Sequence, residues 1–249
     1  MGTEYSGFRA SGRALGDVRR DGFADVAFTD TAGFVHGDPS ALIPPRVRVY
    51  LGGAGGLTAA PPVVLSSPLA RDPGFGRVVA GPLDVDGDGL SDVVVDAWEG
   101  RESGGPTTRR VYVFRGHVDF DARAPSSTHA PRAGDARYSG QSFEGGGDVD
   151  GDGFDDLVLA LDIPTGVLVQ VARGGATGLA AMPSQSFLRE GASVDDSSAS
   201  AWGDITGDGL ADIVLPMELP GGGVPATGRA VDAFWGRALP LDERPTTLR

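Results

Sequence analysis

Residues 83–95 read LDVDGDGLSDVVV: an aspartate- and glycine-rich loop that runs without a break into three consecutive valines. Val93–Val95 is a short, continuous, β-branched run, as expected for a strand buried on both faces. The same pattern recurs as GDVRRDGFADVAF from Gly16, GDVDGDGFDDLVL from Gly147 and GDITGDGLADIVL from Gly203. The first aspartates, Asp17, Asp84, Asp148 and Asp204, lie 67, 64 and 56 residues apart. A unit of about 60 residues accommodates four strands of five or six residues and their connections. Internal repeats of this length are the mark of a stacked architecture.

Working outward from each loop, the strands Val26–Phe28, Val93–Val95, Leu157–Leu159 and Ile213–Leu215 are followed by a second set. These are VRVYLGG from Val47, VYVFRG from Val111, VLVQVARGG from Val167 and VDAFWG from Val231, closed by Gly52, Gly116, Gly174 and Gly236. In the first three, apolar residues alternate with the period of a strand. A weaker apolar stretch precedes each loop, clearest in FGRVVAGP from Phe75, and another ends most units, as in Val63–Leu65. With 40 glycines and 18 prolines in 249 residues, tight turns are frequent and no helical period survives for ten residues. The fold class is all-β. Small sheets with two apolar faces must stack to hide both, and the repeat length favours radial stacking. The expectation is a β-propeller of four-stranded antiparallel blades, one domain over 1–249, with repeats near 1–66, 67–130, 131–186 and 187–249.

The loops carry the chemistry. In the second, Asp84, Asp86, Asp88 and Asp92 stand at positions 1, 3, 5 and 9, and Leu90 at position 7 offers its carbonyl. Calcium takes six to eight oxygens in flexible geometry, and this loop supplies most of them; magnesium is smaller and holds its water. Gly87 and Gly89 permit the curl, and four carboxylates this close repel without a cation between them. An EF-hand needs a bidentate glutamate at position 12, where Val95 stands inside a strand, so that motif is excluded. The third loop is equally complete: Asp148, Asp150, Asp152, the Phe154 carbonyl and Asp156. The fourth has Asp204, Thr206, Asp208, the Leu210 carbonyl and Asp212, with a hydroxyl replacing one carboxylate and weaker binding expected. The first keeps Asp17, Asp21, the Phe23 carbonyl and Asp25 but places Arg19 at position 3 and Arg20 where glycine is expected. Arg19 there competes with a metal and is expected to pair with the aspartates. The competing reading is an Asx-turn loop whose aspartates only cap backbone amides.

These residues resemble the FG-GAP repeat of the integrin α-subunit propeller and its bacterial and fungal relatives. The second repeat is closest, with Phe75-Gly76, then Ala80-Gly81-Pro82, then the aspartate loop. The other repeats keep the loop and strand but lose the Phe-Gly pair in part. The resemblance implies calcium held structurally within each blade. An integrin-like propeller has seven blades and four are counted here. Three readings follow: a fragment of a larger ring, a compact four-bladed ring, or a homo-oligomer completing a ring.

The net charge of −13 argues against nucleic acid as a partner. No cysteine is present, so neither disulfides nor thiolate metal sites arise, and no apolar run of 18 residues spans a membrane. The opening MGTEYSGF lacks the regions of a signal peptide, while the resemblance implies an extracellular or cell-surface setting. No catalytic residue is assigned: GxSxG and HExxH are absent, and His36 and His129 fall in polar, proline-rich stretches read as solvated. The chain is read as no enzyme but as a calcium-binding adhesion or protein-binding module. The alternatives are a calcium-dependent lectin that takes a glycan and a purely structural domain of a larger surface protein. The longest connections, from Asp30 to Arg46, Asp96 to Arg110 and Glu218 to Arg229, are where a ligand is expected, with Trp98 and Arg101 as candidates. Trp202 and Trp235 are read as core.

Overall fold

The computed structural model describes residues 4–5, 12–30, 33–35, 38–69, 74–99, 108–121, 124–131, 141–144, 146–194, 201–219, 228–237 and 246–248. Every regular element among them is a strand. Among the described residues no helix is long and apolar enough to cross a membrane.

Each repeat gives one antiparallel sheet. The first pairs Gly12–Gly16, Asp25–Asp30, Arg46–Tyr50 and Val63–Ser66 in sequence order. The second orders Val79–Ala80, Val93–Glu99, Thr108–Phe114 and Ser127–His129 in the same way. The third uses Gln141–Glu144, Leu157–Ile163, Gly166–Ala172 and Gln185–Glu190. In the fourth, Ser193–Val194 and Ala201–Gly203 both pair with Asp212–Leu219, which continues to Gly228–Phe234 and Thr246–Leu248. The strands predicted after each loop are present and longer than predicted.

Three connections differ from expectation. The stretch read as a loop between Asp30 and Arg46 holds two strands, Gly33–Val35 and Asp38–Ile43, which join Glu4–Tyr5 in a separate three-stranded sheet. Past Asp96 and Glu218 the ladders continue, to Glu99 opposite Thr108 and to Leu219 opposite Gly228, so these connections are shorter than read.

The chain forms two compact units, Met1–Asp84 with Asp88–Ala130, and Val85–Gly87 with Pro131–Arg249. In the first unit, Val47, Val49 and Leu65 of the first sheet share one core with Val93, Val95 and Phe114 of the second. In the second unit, Val158, Val169 and Phe187 share a core with Ile213, Leu215 and Phe234. Within each unit the sheets therefore pack face to face, as apolar strands with two faces require. The Phe75-Gly76 pair shows how a short motif serves this packing. Phe75 is fully buried, with its ring centroid 6.4 Å from that of Phe114 in an edge-to-face arrangement. Burying such a ring contributes about 1.5–3 kcal/mol. Gly76 has φ +74, and a Cβ there would lie 2.7 Å from Val47 Cγ2 of the neighbouring sheet, so only glycine fits.

Candidate metal centres

All four loops share one internal wiring. The first aspartate turns its carboxylate back under the curl: Asp148 accepts from the Gly151, Asp152 and Gly153 N–H groups at 2.6–3.0 Å. Asp204 does the same for Gly207, Asp208 and Gly209, and Asp17 for Arg19, Asp21 and Gly22. Asp84 accepts from Asp88 and Gly89. The fifth position repeats the device in miniature, Asp21, Asp88, Asp152 and Asp208 each accepting from the N–H two residues on.

The ninth-position aspartates, all buried, staple the loop to the strand that follows. Asp25, Asp92, Asp156 and Asp212 accept from the N–H of Gly52, Gly116, Gly174 and Gly236 at 2.7–2.9 Å. Asp25, Asp156 and Asp212 also accept from the second residue of their own loop, Val18, Val149 and Ile205. Amide capping is therefore built into every loop. It leaves carboxylate lone pairs over, and two loops bring those together. Oxygens of Asp84, Asp86 and Asp88 in the second loop lie within 4.8 Å of one another, as do those of Asp148, Asp150 and Asp156 in the third. Hard, all-oxygen clusters of this kind fit calcium better than a softer metal. The buried Asp150 Oδ2 is paired with the Arg173 guanidinium. Asp92 and Asp152 fall outside these two clusters, Asp92 being turned towards Gly116 and Asp152 towards Phe154 and Arg173.

The electrostatics follow from packing many carboxylates into partly buried loops. Burial pushes the Asp156 carboxyl up to about 7, with Asp150 and Asp152 adding to the rise against the N–H groups of Gly174 and Val149. Burial likewise raises Asp150, with Asp152 adding, and Asp25, with Asp21 and Asp17 adding. At Asp17 the little burial acts upwards, but the N–H groups of Gly22, Arg19, Asp21 and Arg20 outweigh it and hold the carboxyl below its usual range.

Arginines serve as tethered counter-charges. Arg173, the residue before the closing Gly174, pairs with Asp150 and, at 2.9 Å, with Asp152. Sequence reading missed this residue, although the Arg-Gly pair also occurs as Arg115-Gly116 after the second loop. Where a loop lacks the third-position carboxylate, the equivalent residue is Leu51 or Trp235. In the first loop Arg19 pairs with Asp21 at 3.0 Å, as expected of an arginine at the third position. Arg20 adopts φ 60 where Gly87, Gly151 and Gly207 stand in the other loops, so the curl survives the loss of its glycine at a cost of about 1 kcal/mol. Its guanidinium donates to the Asp88 carbonyl at 2.5 Å. No three-acid cluster forms in the first or fourth loop among the described residues.

Of the remaining candidates, Arg101 and His36 lie outside the described residues, as does the Trp98 side chain, whose backbone pairs with Arg109. His129 is not a solvated loop residue: it sits on a strand opposite Val111 and is fully buried. Trp235 is not core; its strand ends at Phe234 and the indole is exposed.

No known protein-family profile matches the chain. It is 36% identical over 94 residues to integrin alpha-IIb of Mus musculus and to that of Homo sapiens, and 37% identical over 97 residues to integrin alpha-E of Mus musculus. Each match takes in 38% of this chain and 8% of the relative, so the chain spans under a tenth of the length of these relatives. These matches indicate an integrin alpha-like relationship for part of an all-β chain of antiparallel four-stranded sheets.

Proposed function

We propose that this chain is a calcium-stabilised, propeller-type adhesion module that works outside the cell and recognises a protein ligand. The four sheets that carry the aspartate loops are read as blades. Calcium sits in the loops at Asp84, Asp148 and Asp204, and the first loop is held by Arg19 instead. The observation that carries the reading is the recurrence of one loop geometry at the head of each second strand, twice with three carboxylates converging. The partial identity to integrin alpha subunits supports the adhesion role. The metal is structural in this reading, because its ligands include the loop-capping Asp84 and Asp148 and, in the third loop, Asp156, which staples loop to strand. Removing calcium leaves the carboxylates to repel and loosens each hairpin.

The test is thermal unfolding of the whole chain in calcium and in chelator, beside a calorimetric calcium titration. Calcium should raise the melting temperature and bind with dissociation constants of about 10⁻⁴–10⁻³ M. Asp148→Asn should remove one binding event. An unchanged melting temperature with no heat of binding would reject the calcium role.

A further inference from the structure

Within the second unit one peptide group stands between two aspartate loops. The peptide joining Asp148 to Val149 donates its N–H to Asp156 Oδ2 at 3.2 Å, and its carbonyl accepts from the Ala211 N–H at 2.9 Å. Asp156 closes the third loop, and Ala211 immediately precedes Asp212, which closes the fourth. The next peptide makes a second bridge. The Val149 carbonyl accepts from the Arg237 N–H at 2.9 Å, and the neighbouring Gly236 N–H donates to Asp212 at 2.8 Å. Val149, Asp156 and Asp212 are each 0% exposed, so water offers these groups no substitute partner. Packing follows the same line: a Cβ at Gly147 would lie 2.8 Å from the Ala211 Cβ, and one at Gly151 would lie 3.0 Å from Leu210 Cδ2.

The first unit repeats the bridge. Its Asp17–Val18 peptide donates to Asp25 Oδ2 and accepts from the Ser91 N–H, just before Asp92. The two loops joined in the second unit are unequal. Carboxylates of Asp148, Asp150 and Asp156 converge in the third loop, whereas the fourth gathers no three-acid cluster among the described residues.

We infer that the third and fourth loops take up calcium in order, the filled third loop organising the fourth through the Asp148–Val149 peptide. The inference rests on the calcium reading of both loops. Drawing Asp148 and Asp156 onto one cation fixes the peptide between them, which fixes Ala211 and hence where Asp212 is held. The fourth loop then has less backbone freedom left to lose when it closes. Repulsion between the two cations opposes this only weakly. The third loop holds five aspartates, so it stays negative with one divalent ion bound. A Debye length of about 8 Å at about 0.15 M salt screens what repulsion remains.

Amide NMR of the whole chain during a calcium titration at about 0.15 M salt tests it, with the Gly153 and Gly209 resonances reporting the two curls. In the wild type Gly153 should shift at lower calcium than Gly209. Asp148→Asn should abolish the Gly153 titration and raise the Gly209 midpoint by about fivefold or more. Gly147→Ala keeps every carboxylate but wedges the joint, and should raise the Gly209 midpoint several-fold while Gly153 titrates as before. Should that variant fail to fold, Arg237→Pro deletes one bridging N–H from outside both loops, with the same expectation. A Gly209 midpoint that stays in place when Asp148→Asn silences Gly153 overturns the coupling and leaves the calcium reading intact. So does a rise in Asp148→Asn that the joint variant fails to reproduce, since lost charge alone would then explain it. Shifts at neither glycine in the wild type overturn both readings.

Discussion

Asp156 is the residue at which folding and the proposed cation site meet. Its carboxylate holds the loop through Val149, holds the next strand through Gly174, and converges with Asp148 and Asp150. Burial first, and then Asp150 and Asp152, lift its pKa from 3.8 to about 7. The unfolded chain releases this proton near 3.8, so between about 4 and 7 the folded state binds more protons than the unfolded one. Stability without calcium therefore falls as pH rises through that window. Calcium needs the ionised form, so affinity at the third loop should increase as pH is raised to about 7 and level off above it. Calorimetric titrations at pH values of about 5.5 and 8 check this, with proton release read from two buffers. Equal affinity at both would contradict it. Arg173 is the second lever. Its guanidinium pairs with Asp150 and Asp152, the charge a cation must displace. Arg173→Leu, the residue found at the equivalent Leu51, should tighten calcium binding at the third loop by about three- to tenfold. Because Asp150 is buried, removing its counter-charge should also destabilise the metal-free protein, and calcium should restore that loss. Unchanged affinity in the variant would show that the arginine does not compete.

At the scale of elements, the strand cores were legible because β-branched runs beside glycine-rich curls have few other uses. Their ends were not. Val93–Glu99 runs past its valines because Asp96, which reads as the start of a loop, is buried against Arg109 at 2.8 Å across the ladder. The partner lies 13 residues away, and a buried charge is tolerable only once that partner is in place. Asp212–Leu219 passes through Pro216, a residue that argues for a strand end, yet Pro216 keeps its register opposite Val231. His129 was misread for a similar reason: Pro125 and Pro131 flank a three-residue strand that exists only because Val111 faces it. Trp235 failed in the opposite sense: taken as a strand residue and therefore core, it stands one residue past the strand's end and is exposed. In the loops the spacing of aspartates was plain. Which of them converge was not: Asp156 joins its cluster and Asp92 does not, although each accepts from the closing glycine of the next strand.

Across the whole molecule, charge is distributed with a purpose that composition alone conceals. Of the 34 acidic residues, 15 fall in the four nine-residue loops starting at Asp17, Asp84, Asp148 and Asp204, alongside only Arg19 and Arg20. The loops therefore carry the entire net charge of −13, and outside them 19 acidic residues are balanced by 19 arginines. A surface acidic for solubility would spread its excess, whereas this one confines it to the places a divalent cation would neutralise. Three calcium ions would bring the net charge from −13 to about −7. Electrophoretic mobility at fixed ionic strength should then drop by roughly half between chelator and about 10 mM calcium. Magnesium at the same concentration should change it far less, since it screens like calcium but gives up its water reluctantly. The comparison of the two ions removes the screening contribution, leaving bound charge as the cause. If calcium and magnesium shifted the mobility alike, the concentrated charge would be a diffuse counter-ion sink and not a set of calcium sites.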